Sequence, residues 1–69
     1  MKKFYFTFGQ SHTHVLNGKT VDKDIVIEIT AKSGEVARRK MVKHFGEVWS
    51  MQYDNLPNMK YFPGGVVKL

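Results

Sequence analysis

A chain of 69 residues is one domain at most, and at that size only about 60% of the unfolded surface leaves water on folding. There is no cysteine, which excludes a disulfide framework and any thiolate site and fits a reducing compartment. Eleven Lys and Arg against six Asp and Glu give a net charge of +5, a balance that favours anionic partners. The apolar runs are too short to span a bilayer. Met1-Lys2-Lys3 leads directly into strand-like residues with no signal-peptide core, so a cytoplasmic location and no membrane partner are expected.

Residues 4–8 read as the first strand, with Phe4, Phe6 and Phe8 on one face at period 2. Tyr5 and Thr7 make the other face semi-apolar, the mark of a central strand. Residues 10–24 are irregular, but Asn17-Gly18 is a strong tight-turn signal, open to two readings, a short hairpin near 15–21 or a mobile loop that carries a turn. Residues 25–30 alternate Ile25, Ile27 and Ile29 with Val26, Glu28 and Thr30, as a strand with one buried face does. Ser33 is placed as a helix N-cap with Glu35 in the first turn, and the helix is expected over residues 34–45. Ala37, Met41 and Phe45 form its apolar stripe, Arg39, Lys40 and Lys43 its basic face, and Gly46 its stop. Residues 48–53 predict a third strand whose Trp49, Met51 and Tyr53 join the core. A short C-terminal strand is expected after Pro63-Gly64-Gly65.

The fold class that follows is α+β. The expected order is β-β-α-β, an antiparallel sheet of spatial order 2-1-3 packed on one helix, with a right-handed crossover through the helix. The sheet face away from the helix is expected to show Tyr5, Thr7, Val26, Glu28, Ser50 and Gln52. Phe4, Phe6, Phe8, Phe45, Trp49 and Tyr53 are the large core candidates, each worth on the order of 2–3 kcal/mol if fully buried. A homodimer would supplement so thin a core.

The most distinctive polar cluster is Gln10-Ser11-His12-Thr13-His14. His, Ser, Thr and Gln can hydrogen-bond a ligand, and His can contact phosphate. With Lys19 and Lys23, residues Gln10, His12 and His14 form a candidate anion-binding rim. His12 and His14 at i, i+2 are also weak candidates for metal, although zinc sites carry more ligands at tighter spacing. Neither a metal nor another cofactor is expected. Asn17-Gly18-Lys19-Thr20 lacks the first glycine and the following helix of a phosphate loop. With no nucleophile beside a His/Asp pair and little volume for a cleft, an enzyme is not expected.

The segments Phe6-Thr7-Phe8-Gly9-Gln10, His12-Thr13-His14, Asn17-Gly18-Lys19-Thr20, Asp22-Lys23-Asp24, Ala37-Arg38, Phe45-Gly46 with Trp49, Gln52-Tyr53-Asp54 and Tyr61-Phe62-Pro63 span nearly the whole chain. Together they make it resemble a group of short bacteriophage and prophage proteins that carries no assigned activity. That resemblance brings no catalytic residue. It implies a small accessory binding protein in the host-cell cytoplasm, acting in host takeover or counter-defence. The expected partner is a nucleic acid or nucleotide, held by the His-bearing loop and neighbouring basic residues. A protein–protein inhibitor of an acidic host protein and a metal-dependent activity at His12 and His14 are the alternatives.

Overall fold

The structure, a computed structural model, describes residues 1–69. Its elements run β1 (Lys2–Thr7), β2 (His14–Leu16), β3 (Lys19–Val21), β4 (Ile25–Ala31), α1 (Gly34–Phe45), β5 (Met51–Tyr53), a 3₁₀ turn (Met59–Tyr61) and β6 (Gly65–Lys68). The four-stranded sheet has the order β5-β1-β4-β6, and β2-β3 form a separate two-stranded sheet.

The aromatic strand β1 is central, as its two semi-apolar faces require. It pairs antiparallel with β4, Phe4 opposite Ile29 and Phe6 opposite Ile27, and antiparallel with β5, Phe6 opposite Gln52. The phenylalanines and isoleucines therefore share one face. On that face Ala37, Met41 and Phe45 of α1 bury the sheet, and Phe6, Ile27, Ile29, Ala37 and Met41 are sealed from solvent. The helix begins where Ser33 Oγ accepts the Val36 N–H at 3.3 Å and ends where the Gly46 N–H donates to Val42 O at 2.8 Å.

In the hairpin, Asn17 (φ 52°) and Gly18 (φ 79°) take the left-handed values that a two-residue turn between strands requires. Val21 is fully buried and Leu16 packs on the core, so the hairpin caps the apolar layer beside Phe8.

Three expectations are corrected. The sheet is mixed rather than antiparallel, because β6 joins β4 in parallel, Ile25 opposite Gly65 and Ile27 opposite Val67. The third strand starts at Met51, not Val48, and its phase is reversed. Trp49 lies before it and Gln52 faces the helix, while Met51 and Tyr53 are 52% and 37% exposed on the other side. The reversal has a local cause. The Trp49 indole N–H donates to Gly46 O at 2.9 Å, and its ring meets Phe6 edge-on at 5.2 Å. Trp49 is thus fixed by the turn after α1, and the period-2 pattern restarts one residue out of step beyond Ser50; such a slip flips every later side chain. Consequently Met51 and Tyr53, not Ser50 and Gln52, lie with Tyr5, Thr7, Val26 and Glu28.

The chain crosses the sheet twice. From β4 through α1 it reaches β5 at one edge, and residues 54–64 then bring it back to β6 at the other. Both crossovers join parallel strands but travel in opposite directions. With the same right hand, the second has to lie over the face that α1 leaves free. The burial agrees: on that face Val26 is fully enclosed and Tyr5, Thr7 and Glu28 are buried, while Pro57, Met59 and Phe62 of the return segment are half-buried. The return ends in a tight approach. Gly64 N–H donates to Asp24 O at 2.9 Å, and a Cβ at Gly64 would lie 2.6 Å from Ile25 Cδ1 and 2.8 Å from that oxygen.

Candidate functional site

The histidine loop is arranged differently from a ligand rim. His14 opens β2, and its Nε2–H donates to Val48 O at 2.7 Å. Its ring stands 5.5 Å from Phe8 and 5.0 Å from Phe45. The side chain joins the hairpin to the segment after α1, with one ring nitrogen committed to the backbone. His12 is half-buried, and Gln10 and Lys19 are exposed. Lys23 lies 3.5 Å from Asp24. No three His, Asp or Glu side chains converge as metal ligands.

The basic helix face also divides. Arg39 donates to Glu35 Oε1 at 2.8 Å, an exposed i, i+4 pair. Lys40 reaches back to donate to Thr30 O at 3.1 Å. Lys43 stays exposed in the last turn. Arg38 turns to the apolar flank and sets its guanidinium 5.5 Å above the Trp49 ring, a cation–π contact.

Pairing of the strands assembles a second basic region. Lys2 stands opposite Ala31 and Lys3 opposite Thr30, with Lys32 next in the chain. Lys40 arrives at the same end through its bond to Thr30 O. Four lysines, from β1, the turn after β4 and α1, therefore ring one end of the central strand pair. Asp22 and Asp24 precede the other end of β4, Glu28 is buried mid-strand, Glu35 near this end is engaged by Arg39, and Asp54 follows Tyr53, which stands opposite Tyr5. Residue order hides this cluster, since Lys2 and Lys32 are thirty positions apart. The signal that reveals it is the antiparallel pairing of the first and second long strands, which brings the start of one to the end of the other.

Two further features complete the chemistry. On the face under the return segment, Tyr5 Oη donates to Glu28 Oε1 at 3.2 Å, and Lys68 Nζ lies 4.0 Å from Glu28 Oε2. Burial first, then the hydrogen bond and charge of Glu28, push the Tyr5 phenol above its ordinary range. Between α1 and β5 lies a shallow cleft of about 200 Å³ lined by Arg38, Val42, Glu47, Trp49, Met51 and their neighbours. That volume is below the roughly 300–1,000 Å³ of small-molecule sites. No helix is long and apolar enough to cross a membrane. Comparison of the chain with protein-family models, with curated proteins and with solved structures finds no match.

Proposed function

We propose that the chain is a non-enzymatic binding protein for an anionic polymer, nucleic acid first, engaged through the lysine-ringed end of the β1–β4 pair. The observation that carries this reading is the convergence of Lys2, Lys3, Lys32 and Lys40 on one end of the β1–β4 pair, where they outnumber the carboxylates of that end, Asp54 and the Arg39-paired Glu35. The reading moves the contact away from the histidine loop, because His14 is engaged with Val48 O. The likeness to phage and prophage proteins supports a role in the infected cell. Lysine is a point charge that reads phosphate without reading sequence. Binding should therefore be indifferent to sequence and steeply salt-dependent.

The test is a titration of single- and double-stranded nucleic acid at several salt concentrations. Replacing Lys2, Lys3 and Lys32 by Gln should flatten the dependence of log K on log salt by about 2–3, near one for each phosphate no longer neutralised. The same flattening on replacing Gln10, Lys19 and Lys23 instead would return the binding surface to the hairpin loop. Absence of binding at low salt would refute the reading, and capture of one acidic protein after nuclease treatment would replace nucleic acid as the partner.

A further inference from the structure

The sheet's two edges are not equally protected. An edge strand presents unpaired N–H and C=O groups, and natural edges are blunted with Lys, Pro or very short strands. The β6 edge follows Pro63 and carries Lys68. The β5 edge, Met51-Gln52-Tyr53, has neither Lys nor Pro and is blunted by its three-residue length alone. Its flank is apolar and wet: Val42 is 41%, Val48 46% and Met51 52% exposed. Val42, Met51 and half-buried Trp49 line the cleft between α1 and β5.

We infer that this edge and cleft form the contact surface for a second copy of the same chain, giving a two-fold dimer in which β5 lies along the partner's β5. Charge selects this occupant. The molecule carries +5, so most of its surface repels a second copy. The cleft instead holds one cation and one anion, Arg38 and Glu47, and is locally neutral. A two-fold interface has to be self-complementary. An axis over the cleft, between Arg38 and Glu47, sets Arg38 against the partner's Glu47 twice over. Size points the same way. A stable contact buries about 800 Å² per copy, near a sixth of this chain's 4613 Å². Three residues of β5 cannot supply that alone, so the helix flank carrying Val42 and Arg38 has to enter the interface. Strand pairing then fixes the register, and the apolar flank provides the burial. This surface is separate from the lysine-ringed end, so either proposal stands without the other.

The experiment is sedimentation equilibrium across the micromolar range, on protein stripped of nucleic acid with nuclease and high salt so that a bridging polymer does not register as a dimer. The expected result is a concentration-dependent shift from 8.0 kDa to twice that mass. Arg38→Glu and Glu47→Arg should each raise the dissociation constant by about tenfold or more, because each sets like charges face to face. The double variant carrying both changes should restore association. Met51→Lys should also dissociate the dimer, with circular dichroism unchanged. Any one of three results overturns the inference: a monomer at every concentration, a dimer indifferent to both Met51→Lys and Arg38→Glu, or a double variant as weak as the singles.

Discussion

The two faces of the four-stranded sheet solve the same problem with different chemistry. Toward α1, three phenylalanines and three isoleucines meet Ala37, Met41 and Phe45, and polar Gln52 and His14 enter only at the margin, each bonded to a backbone carbonyl. Toward the return segment, Tyr5, Thr7, Val26 and Glu28 are buried, and the Glu28 carboxylate is met by the Tyr5 hydroxyl and by Lys68. The first face derives its stability from the area removed from water. The second holds a carboxylate that its neighbours have to keep bonded, since an unpaired buried charge is costly. The helix face therefore carries most of the stability, and the second face decides how the returning chain is seated.

Truncation tests that contrast most strongly. Phe6→Ala removes a sealed side chain that also stacks on Trp49 and should cost about 3–5 kcal/mol. In a domain this small that change should abolish cooperative unfolding in a denaturant titration. Gly64→Ala probes the other face's entry point. Its methyl has to displace Ile25 or the Asp24 carbonyl, and the expected destabilisation is about 1–3 kcal/mol by the same measurement. A cost equal to that of Phe6→Ala would mean that β6 is as central as β1.

The Tyr5–Glu28 pair sharpens the comparison through pH. Folding raises the Tyr5 phenol above its free value, so the native state holds that proton more tightly than the unfolded chain. Its contribution is intact below the unfolded value of about 10 and is lost as pH climbs above it. Melting temperature should fall through this alkaline window, and Tyr5→Phe should flatten the fall. An unchanged slope would locate the alkaline sensitivity elsewhere. Arg39→Ala calibrates the small end of the scale. Its ion pair with Glu35 is exposed, and its removal should register below about 0.5 kcal/mol.

Much of the helix face was legible in the sequence because its signals are local. Ser33, the stripe of Ala37, Met41 and Phe45, and Gly46 mark the helix bounds at Gly34–Phe45. Asn17-Gly18 marks the hairpin, and the order β4-β1-β5 follows from a right-handed crossover with the aromatic strand between. The second face was less legible because it depends on long-range facts. One side-chain bond, from Trp49 to Gly46 O, shifts the phase of β5 and exchanges which residues face solvent. The parallel pairing of β6 depends on where a return segment without a helix goes. The candidate sites follow the same rule. His12 and His14 stand out along the chain, yet His14 serves the backbone at Val48. The lysine-ringed end emerges only once β1 and β4 are set in register.

The parallel pairing of β6 also bears on the order of folding events. β1 and β4 are joined by a loop that the hairpin shortens, whereas Ile25 and Gly65 of β4 and β6 are forty positions apart (65 − 25). Closing a longer loop costs more entropy before any contact compensates it, and non-local pairings slow folding. The β1–β4 pair with α1 is the natural nucleus, and β6 docks late, onto a sheet edge that already exists. Substitutions in β6 should then leave the folding rate nearly unchanged and hasten unfolding. The strand that closes the second face would act as a latch on the native state, setting how long the molecule stays folded more than how fast it gets there.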